Sequence, residues 1–117
     1  MTDGYAQRFD QLPRQTLPGG LTVVEAASHR ARRRGLSRLD ALAPDHALHI
    51  PKCFAVHTFG MRFGLDLIWL AKDGTVARVD HAVGPRRMKA CRRARSVVET
   101  LAGEGDKFLA AGLGARP

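Results

Sequence analysis

The sequence predicts a mainly β domain, either a small antiparallel β-barrel or a curved sheet, with two short flanking helices; an α+β fold is the second architecture it allows. Two observations lead to this fold class. Segments with the alternation or the apolar runs of β-strands outnumber helical segments, and the predicted helices are short. The clearest strand, residues 65–71, is apolar on both faces, as expected for a central strand that is covered on both sides.

The composition is that of one ordinary globular domain. The chain has 117 residues, of which 44% are apolar and 26% are charged, and this suits a single core. No apolar stretch approaches the ~20 residues of a membrane-spanning helix. The first ten residues lack the apolar core of a signal peptide, so we expect a cytoplasmic protein. The two cysteines are too few for a disulfide framework.

The net charge of +8 bears on partners rather than on fold. It is compatible with nucleic acid, an anionic membrane surface or an acidic protein as a partner. The positive charge comes mainly from arginine, which high-GC coding also enriches. The charge alone therefore selects no partner.

Residues 1–20 are expected to form a flexible arm, and residues 21–117 a single β-rich domain. The strands are predicted from alternation, apolar runs and flanking turn signals. They cover residues 21–26, 47–50, 55–61, 65–71, 75–83 and 96–101. The helices are predicted over residues 29–34, with Ser28 as N-cap and Gly35 as the stop, and over residues 104–111.

Two connections have a distinctive composition. Lys72-Asp73-Gly74 is predicted as a hairpin turn, with Gly74 in the left-handed conformation. Residues 86–95 are predicted as a basic loop, because they hold six basic residues and no acid.

Several motifs, in their order along the chain, resemble the domain-of-unknown-function family 192. From the N-terminus these motifs are A-R-R-R-G-L at 31–36, V-H-T-F-G-M-R-F at 56–63, L-D-L-I-W-L at 65–70, D-G at 73–74, A-R-S-V-V-E at 94–99 and A-G at 102–103. The likeness covers about residues 21–113. It implies a compact β-rich fold and no established activity.

The chain departs from the family pattern at two places. Gly64 stands where the family usually has proline, so the turn before Asp66 is expected to be looser. The family commonly continues past the last helix with a further strand, whereas this chain ends at Pro117. An edge of the barrel is therefore expected to be missing.

Asp66 is the candidate centre of a ligand-binding pocket. A carboxylate whose neighbours on one strand face are apolar must be paired, or its pKa must rise. Arg62, four residues earlier, is a candidate partner, and His57 and Met61 would line the same surface. The alternative is a structural Asp66 that accepts hydrogen bonds from backbone amides of the preceding turn.

Other chemistry has weaker support. Cys53, His57, His81 and Cys91 could supply zinc ligands, but their spacing is loose and no C-x-x-C pair anchors them. A cysteine–histidine nucleophile lacks an orienting third residue and an oxyanion hole. We therefore predict no metal and no cofactor.

Two arginine clusters form a candidate anion-binding surface. Its members are Arg30, Arg33, Arg34, Arg86, Arg87, Arg92 and Arg93. Clustered cations suffice for phosphate contacts. Nucleic acid is only weakly suggested, because no interleaved aromatic residues and no known nucleic-acid-binding signature accompany them. A solvated basic surface is the alternative.

The functional expectation is a binding or accessory module with its pocket around Asp66, for a small-molecule ligand or an acidic partner. One alternative is a small enzyme that uses Asp66 and His57 as acid and base, although no catalytic residue can be assigned. The other alternative is a basic nucleic-acid-binding protein.

Overall fold

A computed structural model describes residues 11–28 and 42–115, which hold eight strands and one short helix. In chain order these are β1 (Arg14–Leu17), β2 (Leu21–Glu25), β3 (His46–Pro51), β4 (Ala55–His57), β5 (Leu65–Leu70), β6 (Val76–Val83), β7 (Met88–Ala90), β8 (Ser96–Leu101) and α1 (Gly105–Ala110). The chain is thus mainly β, as predicted.

Six of the strands form one mixed sheet in the order β1-β2-β3-β8-β5-β6. Strands β2 and β3 run parallel, and the other neighbours run antiparallel. Within the described residues, β1 and β6 are the two edges, so this sheet is open and the predicted barrel is not formed. Strands β4 and β7 pair antiparallel as a separate two-stranded ribbon.

Strand β5 is central, as its apolar faces predicted. All six of its residues are buried between β8 and β6. Leu65, Leu67 and Trp69 enter one core, and Ile68 and Leu70 enter the other. Each such large apolar side chain contributes about 1.5–3 kcal/mol when it leaves water.

The two cores lie on opposite faces of the sheet. The first, called the ribbon-side core, includes Trp69, and Val56 of the ribbon packs against it. The second, called the helix-side core, includes Phe108 of α1, whose side chain is fully buried. The ribbon and α1 therefore cover opposite faces of the same sheet.

The β5–β6 connection is the predicted hairpin. The Gly74 amide donates to the Ala71 carbonyl oxygen at 2.9 Å, and the Ala71 amide donates to the Thr75 carbonyl oxygen at 2.8 Å. Gly74 has a φ of 86°. A side chain at this position would be strained, which explains the glycine.

Strand β1 lies inside the segment that was predicted as a flexible arm. It pairs with β2 in register from Arg14 opposite Val24 to Leu17 opposite Leu21. Its first three residues are exposed, because it is an edge strand. The sequence of β1 shows almost no apolar alternation, and the strand forms because its backbone pairs with that of β2.

The strand predicted over residues 55–61 ends earlier, at His57. The pairing ends at the buried Thr58, because the Arg87 amide bonds to the Thr58 hydroxyl, although the Thr58 amide still donates to the Arg87 carbonyl oxygen. Its hydroxyl donates to the Gly84 carbonyl oxygen at 2.7 Å and accepts from the Arg87 amide at 2.8 Å. Gly60, with a φ of 84°, then turns the chain.

Two further expectations concern the basic loop and the helices. The segment 86–95 is not all loop, because β7 lies within it and pairs with β4. The helix predicted over residues 104–111 is confirmed as α1. The helix predicted over residues 29–34 lies outside the described residues.

Candidate functional site

Asp66, the predicted pocket carboxylate, is buried and surrounded by backbone amides. Its Oδ1 accepts from the Ala82 amide at 2.9 Å, and its Oδ2 accepts from the Gly103 and Gly105 amides at 3.0 and 2.9 Å. None of these donors is the Arg62 guanidinium. A Cβ at Gly105 would lie 2.9 Å from Oδ2, so α1 begins directly against this carboxylate. The arrangement ties β6 and the start of α1 to β5.

Asp66 and His57 lie on opposite sides of the six-stranded sheet. Asp66 faces α1, because it alternates with Leu65 and Leu67 of the ribbon-side core. His57 lies on the ribbon, where it is exposed and its ring centroid is 5.6 Å from that of Phe59. The acid–base pair of the enzyme hypothesis is therefore not assembled.

The other predicted pocket residues, Met61 and Arg62, lie in the connection between β4 and β5. Met61 is half-buried and packs against the ribbon-side core, and Arg62 is exposed in the connection before β5. Cys53 is half-buried and Cys91 is buried, and neither forms a disulfide in the described part of the chain. Within residues 11–28 and 42–115, no three His, Cys, Asp or Glu side chains come together as a metal site.

Glu99 is a second buried carboxylate, which the sequence analysis did not single out. It lies on β8 opposite Leu48 and Leu67, and its side chain is 2% exposed. Its Oε1 has no hydrogen-bond partner in the described part of the chain. Burial raises the pKa of Glu99 to about 7. The alternation Val97-Glu99-Leu101 places Glu99 on the apolar face of β8, a signal that could have identified it.

A polar cluster lies at the β5–β6 side of the ribbon-side core. The Asp80 carboxylate accepts from Trp69 Nε1 and from Arg78 Nη2, both at 2.9 Å. Arg78 also donates to the Ala90 carbonyl oxygen at 2.7 Å, and its Cζ lies 5.7 Å from the Trp69 ring centroid. Arg78 thus links the sheet to β7 of the ribbon.

The pKa of Asp80 lies below its ordinary value. Burial alone would raise it, but the hydrogen bonds from Trp69 and Arg78 and the charges of Arg78 and Lys89 outweigh burial. A carboxylate with a lowered folded-state pKa stabilises the fold above its unfolded pKa, and this stabilisation is lost as the pH falls. The contribution of Asp80 is therefore present at pH 7 and disappears in acid, below about 4.

Replacing Asp80 with asparagine is expected to lower the free energy of unfolding by about 1–2 kcal/mol at pH 7. The amide keeps an acceptor for Trp69 but loses the charge that faces the partly exposed Arg78. Urea unfolding at pH 7 and pH 3 measures the change. The difference between wild type and Asp80→Asn should shrink at pH 3; an equal difference at both pH values would contradict the assignment.

A basic cleft of about 510 Å³ lies between the β3–β4 and β7–β8 connections. We call it the Phe54 cleft. Its lining residues are Lys52, Cys53, Phe54, Arg92, Ala94 and Arg95. Phe54 is 59% exposed, and no acidic residue lines the cleft. Three basic residues and an exposed aromatic ring therefore line the same cleft.

The Phe54 cleft is held by hydrogen bonds between its two connections. The Cys53 amide donates to the Arg95 carbonyl oxygen at 3.0 Å, and the Cys91 amide donates to the Phe54 carbonyl oxygen at 2.8 Å. The Arg95 guanidinium donates to the carbonyl oxygens of Arg92 and Ala94 at 3.3 and 2.9 Å. The cations are therefore presented by an ordered backbone.

A second, shallower cleft of about 670 Å³ lies on the other side of the 92–95 turn. Its lining residues are Ala71, Lys72, Asp73, Thr75, Arg93 and Arg95. Arg95 therefore lines both clefts. The one acid, Asp73, accepts from the Thr75 amide and hydroxyl and belongs to the hairpin turn.

The candidate anion-binding arginines have different locations. Arg92 lines the Phe54 cleft, and Arg93 lines the second cleft and donates to the Ala77 carbonyl oxygen at 2.8 Å. Arg86 and Arg87 are exposed next to β7. Arg30, Arg33 and Arg34 lie outside the described residues. Lys52 and Phe54 could not be assigned to this surface from the sequence, and Arg95 was predicted only as part of the basic loop, because the pairing of β3 with β8 brings the two connections together.

Comparisons with known proteins give the family and the fold. No curated protein matches the chain. A crystal structure from Sinorhizobium meliloti, described as a "putative transcription regulator", is similar with a TM-score of 0.67 at 25% identity, over 86% of each chain. A protein of unknown function from Novosphingobium aromaticivorans has the same fold, with a TM-score of 0.65 at 15% identity, over 89% of this chain and 91% of that one.

Residues 14–113 match the sequence profile of one family. This range contains β1 to β8 and α1, so the match extends over every strand and helix of the described chain. It agrees with the motif resemblance seen in the sequence. The chain belongs to the domain-of-unknown-function family DUF192, described as "Uncharacterized ACR, COG1430".

Proposed function

We propose that this chain is a binding module that takes an anionic ligand in the Phe54 cleft. The observation that carries the proposal is the convergence of Lys52, Arg92 and Arg95 around the exposed Phe54, in a cleft without an acid. An exposed apolar ring between cations suits a ligand with both a planar or apolar part and a negative charge.

The ordered backbone of the cleft supports this proposal. The hydrogen bonds that join its two connections fix the backbone that carries the basic residues, so less backbone freedom is lost on binding. Lys52 has a φ of 53°, which is rare for a residue with a side chain and costs on the order of 1–3 kcal/mol. The fold keeps this unfavourable conformation at a residue that lines the cleft.

Asp66 has a structural role in this proposal. Its two oxygens already accept three backbone hydrogen bonds, which leaves little capacity for a ligand. The placement of Asp66 and His57 on opposite sides of the sheet favours a binding module over the enzyme. No helix in the described residues has the length and apolar character to cross a membrane.

Removal of two cleft charges is expected to weaken the binding of a small anion. The probe is inorganic pyrophosphate, measured by isothermal titration calorimetry at low salt. The double change Lys52→Gln and Arg92→Gln should raise Kd about thirtyfold, since each close charge at a wet surface contributes roughly 1 kcal/mol and the two together roughly 2 kcal/mol. The control is Lys107→Gln on α1, which removes a charge far from the cleft and should change Kd less than about twofold.

Two results would overturn the proposal. One is the absence of pyrophosphate binding to the wild type at low salt. The other is an equal loss of affinity in Lys107→Gln, which would show that net charge rather than the Phe54 cleft attracts the anion.

A further inference from the structure

The outer face of the β4–β7 ribbon is apolar and exposed. Residues that alternate along a strand share a face, and residues in register on the partner strand share it too. The outer face therefore holds two cross-strand pairs, Ala55 with Ala90 and His57 with Met88. Met88 is 72% exposed, although large apolar side chains are normally buried.

An exposed phenylalanine lies next to each end of this face. Phe54, in the Phe54 cleft, directly precedes β4 and is 59% exposed. Phe59 lies two residues beyond β4, is 51% exposed and contacts the His57 ring. We call the ribbon face and these two rings the ribbon track. Phe54 lies at the Ala55–Ala90 end of the ribbon face, and Phe59 lies at its His57–Met88 end.

Basic residues lie at both ends of the ribbon track. Lys52, Arg92 and Arg95 lie at the Phe54 end, and Arg86 and Arg87 directly precede β7 at the other end. Arg86 has a φ of 62°, so it shares with Lys52 a backbone conformation that side chains rarely adopt. None of these five cations forms an ion pair with an acid in the described part of the chain.

We propose that the ribbon track binds single-stranded nucleic acid, with bases stacked on Phe54 and Phe59 and phosphates held by the flanking arginines and Lys52. The inference rests on the anionic site proposed above and names its ligand. Stacking platforms that alternate with cations are the mode by which proteins hold single strands without reading sequence. A site of about four nucleotides, the short end of the usual range, suits a ribbon of this size.

The chemistry of the ribbon track favours a single strand over other polyanions. A duplex hides its base faces, so the exposed rings would add nothing to its binding. An acidic peptide would satisfy the cations but offers no planar face for two aromatic rings. The second cleft, which shares Arg95, gives a longer strand further cationic contacts at Lys72 and Arg93.

The test uses fluorescein-labelled oligodeoxythymidylates of 4 and 12 nucleotides, measured by fluorescence anisotropy at several salt concentrations. The wild type should bind the 12-mer, and Phe59→Leu should weaken this binding about tenfold because a stacked base is lost while an apolar side chain is kept. Phe59 lies outside the Phe54 cleft, so the same variant should leave the Kd for pyrophosphate unchanged. Lys72→Gln should weaken the 12-mer more than the 4-mer.

Other outcomes would overturn the inference. Unchanged 12-mer affinity in Phe59→Leu would show that the ring is not a platform. Equal displacement of the 12-mer by unlabelled oligoglutamate or by duplex DNA of the same charge would show that the cations alone bind. In each of these cases the protein could still bind pyrophosphate through Lys52 and Arg92. That result would overturn only the nucleic-acid inference and would keep the proposal of an anion-binding module.

Discussion

Replacing Asp66 with asparagine is expected to lower the free energy of unfolding by about 3–5 kcal/mol. The carboxylate accepts three backbone hydrogen bonds through its two oxygens, from Ala82 of β6, from Gly103 in the β8–α1 connection and from Gly105 at the start of α1. An asparagine has one acceptor oxygen, so its NH₂ group must face at least one amide N–H. That buried donor would lose its partner, and the charge-assisted character of the remaining bonds would also be lost.

Urea unfolding monitored by Trp69 fluorescence measures this change. The midpoint should fall while the slope with urea stays constant, as expected when stability changes without a change in the exposed area. Asp106→Asn is a matched control, since Asp106 is exposed on α1 and should change the unfolding free energy by less than about 0.5 kcal/mol. A fully stable Asp66→Asn variant would return Asp66 to the list of candidate ligand-binding residues.

Gly105→Ala tests the same contact from the other side. The added Cβ would approach Oδ2 of Asp66 to 2.9 Å and its Cβ to 3.1 Å. Neither atom can retreat easily, because the carboxylate is fixed by its amide donors. Alanine is ordinarily preferred to glycine in a helix, so a loss of stability here would be specific evidence for the contact.

Replacing Glu99 with glutamine is expected to raise the stability at pH 8 and to flatten its pH dependence. The folded-state pKa of Glu99 is raised to about 7 from 4.5 by burial. Below pH 4.5 the carboxyl is neutral in both states, so no buried charge opposes folding. Between pH 4.5 and 7 the Glu99 carboxyl is ionised in the unfolded chain but still protonated in the folded one. The free energy of unfolding therefore falls as the pH rises through this range, and above pH 7 the total loss is about 3 kcal/mol.

Thermal and urea unfolding between pH 4 and pH 9 measure this dependence. Wild-type stability should fall as the pH rises through this window, whereas Glu99→Gln should show little change from this site. The buried amide will itself lack partners, so the gain at pH 8 will be smaller than the full penalty on the charge. Glu104→Gln, a half-exposed partner of Lys107, is the control and should keep the wild-type pH profile.

The central strands could be predicted from the sequence because their runs of apolar residues indicate that they are buried. Strand β5 is apolar on both faces, and its hairpin is marked by Asp73-Gly74. Strand β1 could not be predicted in this way, because Arg14, Gln15 and Thr16 are exposed and only pairing with β2 makes them a strand.

The candidate site was harder to predict than the fold. The sequence indicates that Asp66 needs a partner, but its hydrogen-bond donors are Ala82, Gly103 and Gly105, whose approach depends on tertiary structure. The Phe54 cleft likewise depends on the register of β3 with β8, in which Pro51 lies opposite Ser96. Sequence patterns indicate which face of a strand is buried, but they do not indicate which distant strand pairs with it.

The position of β8 in the sheet has a consequence for synthesis on the ribosome. This strand is the last of the eight to emerge, yet it lies between β3 and β5 and joins β1-β2-β3 to β5-β6. A nascent chain that ends before residue 96 can form both halves but not the strand that links them. Its β3 and β5 edges then carry unpaired backbone groups, which are sites for pairing with other chains. These edges are covered only once residues 96–101 are available to pair with both of them.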